Sequence, residues 1–143
     1  MQHSELMVTP MRRDLSRHGV LELRTVADVD EFMDQAGSGT ALLIVNSVCG
    51  CSAGSMRPAV GLALSSSVRP TRAASVFAGQ DVEATARARE FLAPHPPSSP
   101  AVALFRDGEL VFLMPRNEIQ GRAPEALAAR LADMLRTHCS PDD

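Results

Sequence analysis

The 143-residue chain is 45% apolar and 22% charged, with a net charge of −3. That is the make-up of a soluble globular protein with chain enough for one hydrophobic core, read here as a single domain over 1–143. The weak negative charge offers no basic face for nucleic acid or anionic lipid. With five Phe, no Trp and no Tyr there is no set of aromatic platforms for bases or sugars.

Charges at Glu5, Arg12, Arg13, Asp14 and Arg17 interrupt the start of the chain, and apolar runs such as Ala41–Val45 are far too short for a bilayer. No export signal or membrane anchor is expected, and the expected location is the cytoplasm. Thr9-Pro10 then reads as a cap followed by proline at the first helical position, with Met7, Met11 and Leu15 as the apolar face and Gly19 closing the helix. Residues 20–23 read as a short strand. Thr25 with Asp28 forms a capping-box pattern ahead of the stripe Val26, Val29, Phe32, Met33 and Ala36, which Gly37 ends.

Ala41–Val45 is a continuous apolar run, the pattern of a strand buried on both faces. Cys49 and Cys51 follow its carboxyl end. Residues 52–66 read as a helix in which Pro58 should produce a kink. A strand over 73–78 leads to Asp81, which should cap a helix with Ala84, Ala88, Phe91 and Leu92 on one face and a Glu83–Arg87 pair. Prolines 94, 96, 97 and 100 mark a loop. Two apolar runs, 101–105 and 110–114, flank Asp107-Gly108, a strong hairpin signal, and Pro124 starts a last helix carrying Leu127, Leu131, Met134 and Leu135. Strands alternating with crossover helices predict an α/β fold, its sheet made mixed by the hairpin, with an extra N-terminal helix.

Cys49-Gly50-Cys51 carries the chemistry. A thiol attacks as the thiolate, and the amino terminus of a helix favours that anion through free N–H groups and its positive dipole end. A buried strand, a sharp turn through Asn46-Ser47-Val48 and then two thiols entering a helix supply this arrangement. Gly50 is read as the residue that permits the tight turn. No Lys or His lies nearby, and Arg57 is read as a solvated or packing residue. Two alternatives stand beside redox chemistry. The cysteines are buried small hydrophobes, or they belong with Cys139 to a non-enzymatic module that senses thiols or holds a metal, for which the remaining ligands His3, His18, His95 and His138 do not cluster in sequence.

Val45-Asn46-Ser47-Val48-Cys49-Gly50-Cys51 with Arg57-Pro58, Val76-Phe77-Ala78-Gly79-Gln80-Asp81 with residues 83–90, Pro96-Pro97-Ser98-Ser99-Pro100, and Phe105-Arg106-Asp107-Gly108-Glu109-Leu110 together resemble the bacilliredoxin family, from about Met11 to Cys139. The resemblance implies a thioredoxin-like fold, a central mixed sheet flanked by helices. It implies reduction of mixed disulfides between protein thiols and bacillithiol, a small thiol that serves as co-substrate, with no resident cofactor. Bacillithiolated client proteins and bacillithiol are then the partners, and disulfide isomerase activity is associated with such proteins. By position Cys49 matches the attacking cysteine and Cys51 the resolving one, and Pro100 matches the cis-proline beside the disulfide. A proline directly before a strand that faces the site is also a cis candidate on its own, an ordinary trans loop proline being the alternative. The one-residue spacer makes a small disulfide ring whose strain should favour oxidant or isomerase behaviour over general reduction. Asn117 stands where the family commonly carries a histidine. Cys139 matches a family cysteine and is read as a structural residue of the last helix, with a second redox thiol or an oligomer-linking thiol as the alternative.

Overall fold

The structure, a computed structural model, describes residues 3–139. In chain order the elements are α1 (Glu5–Ser16), β1 (Leu21–Glu22), α2 (Val26–Gln35), β2 (Thr40–Asn46), α3 (Arg57–Leu64), β3 (Arg72–Phe77), α4 (Val82–Glu90), β4 (Ala101–Arg106), β5 (Glu109–Met114), α5 (Arg116–Ile119) and α6 (Pro124–His138). Every residue of β2 is buried. Its side chains alternate between two cores: Leu42 and Ile44 enter one, while Ala41, Leu43 and Val45 enter the other. An uninterrupted apolar run suits a strand covered on both faces, and each fully buried Leu, Ile or Val contributes about 1.5–3 kcal/mol.

The sheet order is β1-β3-β2-β4-β5. β1 and β2 run parallel to β3, whereas β4 is antiparallel to β2 and to β5. The expected mixed sheet is therefore present, and the hairpin between β4 and β5 turns through Asp107 (φ 50°) and Gly108 (φ 85°), both left-handed as its sharp geometry requires. One core takes side chains from α3 and α6, and the other from α2 and α4. Thr25 and Asp28 make the expected reciprocal capping box on α2. Val26, placed on the apolar stripe, is 39% exposed, while Val29, Phe32, Met33 and Ala36 are buried.

Four local expectations change. First, α1 starts at Glu5 behind the Ser4 cap rather than at Pro10, which sits inside the helix; Val8 and Arg12 join Leu15 on its buried side, and Met7 points outward. The reason is Arg12. Its buried guanidinium donates to both oxygens of Asp81 (2.7 and 3.1 Å) and to both of Glu5 (3.2 and 3.1 Å), and lies 5.2 Å from the centre of the Phe77 ring. The Glu5 contact needs the first turn of α1 to be helical. Second, and for the same reason, Asp81 precedes α4 without making a side-chain cap bond, its carboxylate being held by Arg12. Third, Arg87 pairs with Glu90 and with Asp30 of α2 rather than with Glu83. Fourth, the helix after the cysteines widens into a π-helical turn at Ser52–Met56 before α3. Pro58 thus lies in the first turn of a renewed α-helix, where its missing N–H removes no bond.

Arg12→Ala leaves two carboxylates without their shared cation, one of them the largely buried Asp81. Urea unfolding should show a loss of about 3 kcal/mol, the scale for breaking a buried pair from one side. A loss below about 1 kcal/mol would show that α1 is held by other contacts.

Candidate active site

β2 ends at Asn46, and helix begins again at Gly50. The turn between them is built from buried polar groups. Asn46 Oδ1 accepts the N–H of Ser47 (2.9 Å) and Nη1 of Arg57 (3.1 Å), while the Ser47 carbonyl accepts the same Nη1 (2.9 Å). Arg57 Nε reaches Asp14 of α1 at 3.2 Å. The Ser47 hydroxyl accepts the Cys49 N–H (3.3 Å) and shares a proton with the Ser52 hydroxyl (2.7 Å). Each of Asn46, Ser47, Ser52 and Arg57 is buried, and each finds partners here, as buried polar groups must.

This brace delivers Cys49 to the cap position, immediately before the helix. Its carbonyl accepts the N–H groups of Ser52 (2.9 Å) and Ala53 (3.2 Å), and its Sγ accepts the N–H of Cys51 at 3.3 Å. The sulfur occupies the place that a capping Ser or Asp oxygen takes elsewhere. Gly50 is not the turning residue expected of it. Its φ is not left-handed, and a Cβ there would meet no atom within 4 Å. Its bareness leaves the approach to the two thiols open.

The two thiols are free, partly exposed and electrostatically unlike. Burial pushes Cys49 upward, but the Cys51 N–H, the Cys51 thiol, the positive charge of Arg116 and the Ser52 N–H together outweigh it and hold Cys49 below the ordinary thiol range. Cys51 moves the other way. The hydrogen bond of its thiol to the Cys49 sulfur raises it first, burial and the Cys49 charge add to that, and Arg116 opposes. One thiol ionises early and the other keeps its proton.

Cys49 and Cys51 thus lie together at the carboxyl edge of β2. Pro100 is buried one residue beyond the Val45–Ala101 pair, at the same edge, and the Ser99–Pro100 bond is cis. Cys139 is not part of this group. It is buried against Thr40 Oγ1 (3.4 Å) at the opposite end of β2, roughly 20 Å away by the rise of the strand. Arg57 is a packing residue and not a solvated one. Among the described residues no three His, Cys, Asp or Glu side chains gather as a metal site would require. The residue that sequence reasoning missed is Arg116. It lies far from the cysteines in sequence and reaches their field from α5, next to Asn117, which is exposed.

Residues 3–139 match the protein family described as disulphide isomerase. A bacilliredoxin of Halalkalibacterium halodurans is 51% identical over 133 residues, covering 93% of this chain and 92% of that one. The chain belongs to the bacilliredoxin family. A second bacilliredoxin, from Salinibacter ruber, is 48% identical over 144 residues, with 100% of this chain and 85% of the relative covered. Among solved structures, a putative oxidoreductase with a thioredoxin fold superposes with a TM-score of 0.56 at 14% identity, covering 80% and 93% of the two chains. The thioredoxin of Fasciola hepatica superposes at 0.53 with 18% identity, covering 83% and 99%. These likenesses show the thioredoxin-like fold, and the family is one of thiol–disulfide oxidoreductases.

Alkylation with iodoacetamide should therefore be ordered. Cys49 should be labelled first at neutral pH, with its rate rising through a midpoint below the ~8.5 of a free cysteine, while Cys51 follows only at higher pH. Peptide mapping that finds both labelled equally at every pH would contradict the assigned asymmetry.

Proposed function

We propose that this chain reduces mixed disulfides between client-protein thiols and bacillithiol in the cytoplasm, with Cys49 attacking and Cys51 resolving. The observation that carries the reading is the Cys49 sulfur at the helix start, accepting the Cys51 N–H and held below the ordinary thiol range. The bacilliredoxin names of the relatives support the choice of small thiol. The Cys49 thiolate attacks the sulfur of the small thiol, the S–S bond to the client breaks, and the client leaves as a thiolate that takes up a proton. Cys49 then carries the small thiol as a new disulfide. A second small thiol resolves this adduct by attacking the bound small thiol's sulfur, which leaves a small-thiol disulfide and a free Cys49. Alternatively Cys51 attacks Cys49 Sγ, which releases the small thiol and leaves Cys49–Cys51 oxidised. The raised Cys51 supplies the delay that lets the first step finish before the second begins. Pro100 walls the site on the β4 side. No described helix is long and apolar enough to cross a membrane.

The family description as a disulphide isomerase favours a second reading, in which the reduced Cys49 thiolate attacks a client disulfide, holds one client sulfur as a mixed disulfide while the other leaves as a thiolate, and is released when another client thiolate attacks the held sulfur. Activity on scrambled disulfides with bacillithiol absent distinguishes it.

The roles are tested by two variants. Cys49→Ser should reduce release of the small thiol from a client to the background rate. Cys51→Ser should still free one equivalent of client and accumulate the small thiol on Cys49, seen as an intact-mass increase when external thiol is limiting. Activity in Cys49→Ser with none in Cys51→Ser would reverse the assignment.

A further inference from the structure

Around Arg116, whose charge bears on both thiols, lies a groove of about 540 Å3, a size that suits a small molecule and not a protein segment of any bulk. The proline-rich loop 95–99 forms one wall, Leu113 lies in the lining, and Arg116, Asn117 and Gln120 form the other wall. The two walls are tied together, because the Arg116 N–H donates to Ser98 Oγ (2.7 Å), and the Ser98 hydroxyl donates on to the Pro100 carbonyl (3.4 Å). Ser98 and Ser99 of this lining lead directly into Pro100 and the start of β4, which pairs with the end of β2 that precedes Cys49.

Its charge is one-sided. No Asp or Glu lines it. Arg116 is exposed and pairs with no carboxylate among the described residues, whereas Glu118 of the same helical turn is already paired with Arg130 of α6. A free guanidinium and two amide side chains in one lining make a receptor for an anion that also carries hydrogen-bonding groups.

We propose that this groove seats the small-thiol half of the mixed disulfide, and that Arg116 selects thiols bearing a carboxylate. The inference rests on the oxidoreductase reading above and adds to it the substrate class and the residue that recognises it. The small thiol sits in the groove as the Cys49 adduct forms, its sulfur bonded to Cys49 and its carboxylate on Arg116, while the client departs on the open Gly50 side. A planar fork that binds carboxylate two-pronged is worth more here than a bare charge.

The test uses one client protein carrying, in turn, 3-mercaptopropionate, 2-mercaptoethanol and cysteamine as the disulfide-linked small thiol, each rate normalised to release by dithiothreitol alone. In the parent protein kcat/KM should favour the carboxylate over the neutral thiol by about tenfold, the scale of one charge-assisted hydrogen bond, with the ammonium thiol last. Arg116→Gln should bring the three within about twofold, and Arg116→Lys should keep part of the preference. The ionisation of Cys49 is common to all three substrates and cancels in the ratio. An unchanged preference in Arg116→Gln, or none in the parent, overturns the proposal while leaving the oxidoreductase reading intact. A parent that releases none of the three thiols removes both.

Discussion

A single buried cation holds the turn on which this molecule's chemistry depends. Arg57 sits in the first turn of α3 and spends its guanidinium on Asn46, Ser47 and Asp14, that is, on the end of β2, the following turn and α1. Burial works against its charge, and the nearby Asp14 works for it. Burying a cation is costly unless its donors are used, and here the bonds go to the backbone and side chains that fix where Cys49 emerges. The π-helical turn fits the same constraint. It lets the helix begin at the thiols and still present Arg57 inward and Pro58 at a renewed start.

From that placement follows the difference between two chemically identical side chains. Cys49 meets the N–H groups of a helix start, and Cys51, two residues on, donates a hydrogen bond from its thiol to the Cys49 sulfur and keeps its proton. The pair therefore shares one charge, with the anion on the outer thiol. In the proposed cycle, nucleophile and resolving group are separated by position on the helix and need no neighbouring base. Arg116, across the site on α5, biases both thiols in the same direction and leaves the asymmetry to the helix.

Much of this was legible in the sequence, because the signals were local. Residues 41–45 read as a doubly covered strand, Thr25 and Asp28 as a capping box, and Asp107-Gly108 as a hairpin, and each formed as read. Cys49 and Cys51 were read as following a buried strand, and both lie at the sheet's carboxyl edge. What failed was whatever a distant partner decided. Thr9-Pro10 is a good local start, yet Arg12 in contact with Glu5 and Asp81 pulls α1 back to Ser4. The same contact takes Asp81 away from capping α4. Arg116 carried no signal, since nothing near it in sequence points toward the cysteines. Gly50 was misread because a glycine between two cysteines suggests a turn, whereas the turn lies earlier and is made by side-chain hydrogen bonds.

The central claim is that the braced turn, and not the cysteines' sequence spacing alone, makes Cys49 acidic. Thiolate absorbance near 240 nm, titrated in a Cys139→Ser background with Asn46 intact and with Asn46→Ala, tests it directly. With Asn46 present the first thiolate should appear with a midpoint below ~8.5, and Asn46→Ala should move that midpoint upward while circular dichroism shows the fold retained. A first midpoint at or above ~8.5 with Asn46 present, or one that Asn46→Ala leaves unmoved, would contradict the account.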